Sequence, residues 1–325
     1  MILILADGNH KIGMGHIYRT INLAKSLKRR KHMVIFLTKD PIAKKIISKT
    51  NVCKLYQKSD LKKKMRFLER LKPDIVIIDK QVDVSENLHV LRSTCKTIGI
   101  DYRGNNKELL DYGINILYPL TGIKTSFSGF EYAIIDERFL MRKIKMIKKI
   151  VNSILILQGG SDTHCYIPKI IKALNYLGEN FKITVVLGPS FKCWSKLRTE
   201  LKHNKKPITI LRSVNDMSSI MVKHDLAITA GGNTLLELAY LGIPSIVVCG
   251  ERFEVETAKL MEKKGFCINL GYGEEIPANK IAHATKTLAS STIVRNKMNR
   301  IGKKLVDGKG AERITKIIEL LCSRN

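Results

Sequence analysis

The stretch "SILILQGG" (residues 153–160) decides the fold, because it starts a second series of strands and helices within one chain. The first series starts at "MILILADG" (residues 1–8), another apolar run that ends at a glycine. Such runs are typical of parallel strands that are buried on both faces. Strands that alternate with helices form right-handed βαβ units in an open parallel sheet. We therefore predict an α/β protein with two Rossmann-like domains.

Further apolar runs extend both series. They lie at residues 33–38, 74–79, 97–101, 114–119, 132–136, 182–188, 208–214, 225–232 and 244–250. The basic stretch "MRKIKMIKKIVNS" is the predicted connector, which gives an N-terminal domain over residues 1–148 and a C-terminal domain over residues 149–325. The last segment has an amphipathic helical pattern, and this helix can pack back on the N-terminal domain. Ligands of such sheets bind at the carboxyl ends of the strands, so we expect the two sheets to face a cleft that holds the site.

Composition limits the class of protein. Hydrophobic residues make up 44% and charged residues 26% of the 325 residues, as in a globular protein. No apolar run approaches the ~20 residues of a membrane span, and no signal peptide is recognisable, so we expect a cytoplasmic protein. The net charge of +28 favours anionic partners, although lysines on solvated helices give the same total. We expect no nucleic acid, whereas peripheral contact with an anionic membrane and the oligomeric state stay open.

The seven cysteines are scattered and form no C-x-x-C motif. Neither a zinc site nor a disulfide framework is indicated. We interpret most of them as small buried hydrophobic residues, and we predict no metal site.

The opening loop carries Gly13 and Gly15 directly before His16, where a helix is predicted to begin. A dinucleotide fingerprint would need a third glycine at position 18, which is Tyr18. Glycines let a loop pass close to a ligand, and a helix N-terminus attracts anions. His16 can act there as a general base near neutral pH, or it can simply hydrogen-bond the loop. The residues alone leave both roles open, with His10 as a weaker rival.

Two more glycine loops follow strands of the second series. The second loop contains Gly159, Gly160, Ser161 and Asp162. It can hold a phosphate or a nucleobase. Alternatively, it is a strand-to-helix turn in which a side chain caps the helix. In the third loop, N–H groups at a helix start suit a diphosphate, and a carboxylate one turn deeper suits a ribose. The residues of this loop are Gly231, Gly232, Asn233, Thr234 and Glu237. We predict that the third loop binds a nucleotide.

Two aspartates end successive strands of the N-terminal domain. Asp79 closes "IVIID" and Asp101 closes "TIGID". Both are expected at the carboxyl edge of the sheet, where each can orient His16, bind a sugar hydroxyl or cap a loop.

The three loops in this order resemble the UDP-sugar hydrolases of pseudaminic acid biosynthesis, which act on UDP-2,4-diacetamido-2,4,6-trideoxy-β-L-altropyranose. The resemblance covers nearly the whole chain, and this sequence looks like a divergent member. That family is similar in fold to the GT-B glycosyltransferases. The stretches that carry the resemblance are "GMGHIYRTINLAKSL", "PDIVIID", "EYAIIDERF", "LQGGSDT" and "TAGGNTLLELAYLGIPSIVV".

The resemblance implies hydrolysis of a UDP-linked amino sugar, without metal or cofactor, in the synthesis of nonulosonic acids or other surface glycans. The family's histidine matches His16, which would activate a water molecule to attack the anomeric carbon and release UDP. The third loop would hold the diphosphate and Glu237 the ribose. Alignment adds Glu254 as a further substrate-binding residue.

Several positions depart from the family's residues. Lys80 and Gln81 stand where the family has a histidine and a tyrosine, and Asp136 stands where it has an arginine. Phe253 and Glu254 stand where the family has an Asn-Gln pair. The residues expected to bind the nucleotide thus match the family better than the residues expected to bind the sugar. Two alternatives follow, namely a GT-B glycosyltransferase that uses a nucleotide-sugar donor and a catalytically inactive nucleotide-binding protein.

Overall fold

The chain divides into two compact units. A computed structural model describes residues 1–8, 14–38, 40–50, 54–57, 70–79, 85–117, 122–123, 125–178, 180–212 and 214–323. Unit 1 consists of Met1–Asp136 and Gly308–Asn325, and unit 2 consists of Glu137–Asp307. The predicted domain boundary after residue 148 stays a prediction, because compactness alone does not test which segments fold independently.

Helices follow most of the strands along the chain, and the last three helices follow one another without a strand between them. Within the described residues the α-helices are α1 Gly15–Arg29, α2 Pro41–Ser48, α3 Ser85–Thr94, α4 Glu137–Leu140, α5 Tyr166–Asn175, α6 Trp194–Lys202, α7 Met217–Met221, α8 Asn233–Leu241, α9 Glu254–Lys264, α10 Ala278–Ser290, α11 Thr292–Leu305 and α12 Gly310–Cys322. None of these helices is both long and apolar enough to cross a membrane.

Unit 1 contains a sheet of seven parallel strands in the order β3-β2-β1-β4-β5-β6-β7. The central strand β1 pairs through Ile2 with Val34 on one side and Ile75 on the other. Every residue of β1, β2 and β4 is buried, as expected for strands covered on both faces. The order reverses at β1, so the carboxyl ends of β1 and β4 form the edge where ligands of such sheets bind. The strands are β1 Ile2–Ala6, β2 Val34–Thr38, β3 Lys54–Gln57, β4 Ile75–Asp79, β5 Lys96–Ile100, β6 Tyr112–Asn115 and β7 Ser126–Ser128.

The last helix, α12, belongs to unit 1, although the preceding 171 residues (137–307) form unit 2. It packs against α1, where the hydroxyls of Ser26 and Thr315 lie 2.9 Å apart. Gly310 begins α12 directly against the backbone of residues 132–133, where a side chain would collide. This close approach explains the glycine at that position.

Unit 2 repeats the topology with six parallel strands in the order β10-β9-β8-β11-β12-β13. The central strand β8 pairs through Ile154 with Ile183 and Leu226. Ile154 belongs to the buried core that Ile170 of α5 and Ile281 of α10 also join. Each such aliphatic side chain stabilises the fold by about 1.5–3 kcal/mol when fully buried. The strands are β8 Ser153–Leu157, β9 Lys182–Leu187, β10 Ile208–Arg212, β11 Leu226–Thr229, β12 Ser245–Cys249 and β13 Cys267–Tyr272.

The predicted α/β architecture with two Rossmann-like parallel sheets is confirmed, and the apolar runs given above contain all or part of a strand with one exception. Residues 132–136 form the end of a 3-10 turn and irregular backbone instead of a strand. One prediction about the cysteines is wrong. Cys165 and Cys193 form a disulfide, with their Cα atoms 5.6 Å apart. They follow the neighbouring strands β8 and β9, so sheet pairing and not sequence spacing brings them together. The cysteines that stay free among the described residues are Cys95, Cys249, Cys267 and Cys322.

Candidate active site

His16, the predicted base, lies in the first turn of α1. The helix begins at Gly15, and the His16 side chain is 15% exposed. No acidic residue lies in this turn, and Met14 in front of it makes no capping bond through its side chain. The positive end of the helix dipole is therefore not neutralised by an acidic side chain of its own first turn. An imidazole at this position is held by the fold and still reachable from solvent.

Asp79 is the hydrogen-bond partner of His16. It is the last residue of β4, its side chain is fully buried, and it pairs in register with Ala6 of β1. Its Oδ1 lies 2.6 Å from Nδ1 of His16. Because a carboxylate only accepts, we assign the ring proton to Nδ1 from this partner. The other ring nitrogen, Nε2, is then the proton acceptor.

Arg19, one helical turn after His16, joins Asp79 to Asp101. Its Nε and Nη2 each donate to a different Asp79 oxygen at 2.6 Å, and its Nη1 donates to Asp101 at 2.6 Å. The side chain is only 4% exposed. A guanidinium fork suits this arrangement, since it can bind one carboxylate with two donors and still reach a second. Arg19 is absent from the residues predicted above, although its spacing of three from His16 places both on one face of α1.

Asp101 anchors the far end of this chain of hydrogen bonds. Its Oδ1 accepts the backbone N–H groups of Ile116 and Leu117 at 2.7 and 2.9 Å, while Oδ2 accepts from Arg19. Its φ of 45° is left-handed, a conformation that costs a residue other than glycine about 1–3 kcal/mol. The hydrogen bonds that its two carboxylate oxygens accept hold Asp101 in this conformation. Asp101 therefore caps a loop directly and reaches His16 only through Arg19 and Asp79.

The charges of this cluster suit proton transfer. Burial by itself would raise the pKa of Asp79, but the charge of Arg19 and then that of His16 bring the pKa below its ordinary value. Burial likewise opposes the charge on Arg19, yet Asp79 and Asp101 raise the pKa of its guanidinium. Two carboxylates and one guanidinium sum to one negative charge, which a protonated His16 neutralises. This cluster lies against the ring that is to accept a proton at Nε2.

The second loop has two distinct parts. Gly159 and Gly160 are exposed, and a Cβ at either would meet nothing within 4 Å, so a ligand can approach this backbone. The Ser161 hydroxyl lies 2.8 Å from that of Thr163. Asp162 is buried and accepts the N–H groups of residues 166 and 167 at 2.7 and 3.0 Å, which caps α5. Burial raises the pKa of Asp162, while these two bonds oppose the rise.

The third loop ends β11 and begins α8. Asn233 and Thr234 are the first two residues of the helix, and Gly232 before them provides no side-chain cap. The N–H groups of this first turn therefore have no capping side chain at Gly232, as an anion-binding helix start requires. Glu237 lies one turn further along and is partly buried. The helix ends at Gly242 with a φ of 70°, the left-handed conformation that glycine favours.

Glu254 closes the third loop from the neighbouring segment. Its Oε2 accepts the N–H groups of Gly250 and Glu251 at 2.8 and 3.3 Å. A Cβ on Gly231 would lie 2.8 Å from the Glu254 Cβ and 2.9 Å from its backbone oxygen, so only glycine fits there. Burial raises the pKa of Glu254, although the N–H groups of residues 250, 251 and 231 oppose the rise. This carboxylate lies against the same backbone that the third loop would offer to a ligand.

The structure brings the predicted residues together in two sets. His16, Asp79 and Asp101 meet in unit 1, with Gly15 at the helix start, whereas the second and third loops and Glu254 belong to unit 2. Gly13, the rival His10, and the departures Lys80 and Gln81 lie outside the described residues. Asp136 accepts a hydrogen bond from Asn22 at 3.3 Å. Among the described residues, no group of three His, Cys, Asp or Glu side chains could hold a metal ion.

Comparison with known proteins adds a family match over about half of the chain. Residues 153–314 match the model of the glycosyltransferase family 28 C-terminal domain. The crystal structure of MurG from Acinetobacter baumannii superposes with a TM-score of 0.73 over 98% of this chain and 99% of that chain, at 15% identity. The fold is that of the GT-B glycosyltransferases. At such low identity the likeness extends to the fold alone.

Two curated relatives are similar in sequence. An uncharacterised protein of Methanocaldococcus jannaschii is 32% identical over 272 residues, which cover 76% of this chain and 55% of that protein. This chain thus spans little more than half the length of that relative. The spore coat polysaccharide biosynthesis protein SpsG of Bacillus subtilis is 27% identical over 97% of both chains. Together these matches support a glycosyltransferase-like family.

Proposed function

We propose that this protein transfers a sugar from a nucleotide-sugar donor, with UDP as the nucleotide, to an acceptor hydroxyl in polysaccharide biosynthesis. The single observation that carries the proposal is the 2.6 Å bond between His16 and buried Asp79. A histidine oriented in this way by a carboxylate is a general base for a hydroxyl group. The GT-B fold and the family match over unit 2 supply the context of a nucleotide-sugar donor.

In this mechanism Nε2 of His16 takes the proton of the acceptor hydroxyl. The oxygen then attacks the anomeric carbon, and the bond from that carbon to the diphosphate breaks as the new bond forms. The charge that develops on the leaving diphosphate calls for backbone N–H donors of the kind that begin α8. Arg19 keeps Asp79 ionised and in place, and Asp101 holds Arg19, so both are positioning residues that act through Asp79.

Hydrolysis is the second candidate function, in which water takes the place of the acceptor. The observation that favours it is the match of "GMGH" and "LQGGSDT" to the UDP-sugar hydrolases described above. The same base serves both reactions, because Nε2 can take a proton from water or from an alcohol. The two functions therefore differ in the nucleophile that the site admits, and kinetics separates them.

The test measures UDP release from a panel of UDP-linked amino sugars, with and without soluble and lipid-linked glycan acceptors. Transfer is supported when release requires an acceptor and the acceptor gains the mass of the sugar. Equal release without any acceptor, accompanied by free sugar, would replace transfer by hydrolysis. Tight binding of UDP with no release from any donor would show a nucleotide-binding protein without catalysis and would overturn both.

A further inference from the structure

Unit 2 exposes large apolar side chains along an irregular segment, residues 141–150. Met141, Met146 and Ile150 are 77%, 85% and 71% exposed. Scattered apolar residues are normal on protein surfaces, but three such side chains within ten residues form a concentration. Apolar area of this kind is costly to leave in water, so a surface that keeps it exposed is a candidate for binding.

Hydrogen bonds to α11 hold the backbone of this segment in place. Asn299 donates to the Lys145 carbonyl at 2.9 Å, and Arg295 and Thr292 donate to the Lys149 carbonyl at 2.7 and 3.1 Å. Arg295 itself is 1% exposed, and its guanidinium also donates to the carbonyls of Lys148 and Leu288. The apolar side chains are thus presented by a fixed backbone rather than by a loose connection.

Lys145 anchors the middle of the segment. Its ammonium lies 3.1 Å from Asp225, which is 4% exposed. Ile144 and Met146, on either side of Lys145, are exposed by 43% and 85%. The inward-facing lysine thus leaves its two apolar neighbours at the surface.

Helix α11 continues this surface. Ile293 is 84% exposed and follows Thr292, which is bonded to the segment. Lys297, Arg300 and Lys304 follow Ile293 at intervals of four, seven and eleven residues, which places all of them on one helix face, and all are exposed. The helix therefore carries a row of cations that starts at an exposed isoleucine.

Cations prevail on this surface. Residues 141–150 contain five lysines and arginines, residues 292–305 contain another five, and neither stretch contains an acidic residue. Arg142 is paired with Asp216 and Lys145 with buried Asp225. The cations that stay exposed include Lys143, Lys297, Arg300 and Lys304. A nucleic acid would pair with such cations but offers no partner for aliphatic side chains. An anionic lipid bilayer accepts both, because cations bind the headgroups while apolar side chains enter the acyl boundary.

We propose that this surface docks the protein on an anionic lipid bilayer. We name it the connector surface and define it by Met141, Ile144, Met146, Ile150 and Ile293 with the surrounding cations. The docking goes beyond the proposed catalytic function and does not depend on it. Apolar insertion and headgroup attraction act together, so removing the apolar part weakens binding even where the cations remain.

The test is cosedimentation with vesicles of phosphatidylcholine alone and of phosphatidylcholine mixed with phosphatidylglycerol. The variant Met146→Glu/Ile293→Glu removes two apolar side chains of the connector surface. The control Met33→Glu/Leu320→Glu changes two apolar side chains of unit 1, exposed by 55% and 61%, and has the same net charge. Because all four positions are exposed, we expect both variants to fold like the wild type, which circular dichroism checks.

We expect the wild type and the control to bind the mixed vesicles and the connector variant to bind them at least about tenfold more weakly. Equal loss in both variants would show diffuse electrostatic attraction and would overturn the proposal. Absence of wild-type binding to the mixed vesicles would overturn it too, as would equal binding to phosphatidylcholine alone. Binding to a DNA or RNA duplex in place of the mixed vesicles would assign the surface to nucleic acid instead.

Discussion

Unit 1 builds its polar site from charged side chains, whereas unit 2 builds its loops from backbone groups. In unit 1, Asp79 and Asp101 are buried around Arg19, and His16 reaches solvent from this cluster. In unit 2, glycines and a helix start present N–H groups, and a carboxylate approaches them at Glu254. Charged side chains can move protons, while backbone N–H groups can only hold anions. The same sheet topology thus carries two different kinds of chemistry.

The carboxylates of the two units respond to burial in opposite ways. Asp79 is paired with a guanidinium, which lowers its pKa despite burial. Glu254 is bonded only to neutral N–H groups, so burial prevails and raises its pKa. A full opposite charge offsets desolvation where amide dipoles do not.

The largest effect is expected from His16→Ala, which removes the base of unit 1 and leaves the loops of unit 2 intact. We expect turnover of the nucleotide sugar to fall by about 10²–10⁴-fold, with the dissociation constant for UDP unchanged. UDP release and calorimetric UDP binding measure the two quantities. Full activity of this variant would remove His16 from the mechanism.

Arg19→Met tests how the side-chain cluster is held together. It leaves Asp79 and Asp101 buried without their cation, and breaking a buried pair in this way costs about 3–5 kcal/mol in the free energy of unfolding. The matched control is Arg30→Met, which removes the same charge from an exposed position and should cost less than about 0.5 kcal/mol. Urea unfolding measures both, and equal losses would contradict the role given to Arg19.

Gly231→Ala tests the backbone site of unit 2. The new Cβ would lie 2.8 Å from the Glu254 Cβ, so the third loop must shift. We expect a loss of about 1–3 kcal/mol in the free energy of unfolding together with weaker UDP binding. Gly160→Ala is the control for stability alone, because its Cβ meets nothing within 4 Å. Similar losses in the two variants would show that close packing at Gly231 is not the cause.

The smallest effect is the pH dependence of stability, which should have opposite signs in the two units. The raised pKa of Glu254 means that the fold favours its protonated form, so wild-type stability relative to Glu254→Gln should rise as pH falls from 7 towards the ordinary glutamate value. The lowered pKa of Asp79 means that its contribution is present above the ordinary aspartate value and is lost below it. Urea unfolding of Glu254→Gln and Asp79→Asn across pH checks both signs, and a shared sign would contradict the contrast.

The sequence predicts the central strands well and the sheet edges poorly. Long apolar runs such as residues 74–79 mark strands that are buried on both faces. The edge strands β3, β7 and β13 are short or mix polar residues with glycine, so they are missing from the predicted runs. The edge strand β10 is richer in aliphatic residues and lies within the predicted run 208–214. A strand is therefore predictable where it forms an apolar run, and a short or polar edge strand gives no such signal.

The candidate site is partly readable for a similar reason. Strand ends and glycine loops are local signals, so His16, Asp79 and Asp101 can be selected from the sequence. Arg19 carries no such signal, because its role depends on two aspartates that lie 60 and 82 residues away in the chain. The disulfide between Cys165 and Cys193 cannot be predicted from the sequence for the same reason, because it depends on which strands pair in the sheet. That the selected residues contact substrate stays a prediction, which the variants above test.

Helix α12 has a consequence for the order in which the protein forms during synthesis. Unit 2 is continuous, and all of it emerges from the ribosome before residues 310–322 do. Unit 1 holds the first residues of the chain, yet α1 lacks its partner helix until this late segment arrives. Unit 1 is therefore synthesised first but can complete its packing only after α12 has been made. Unit 2 can fold before that point.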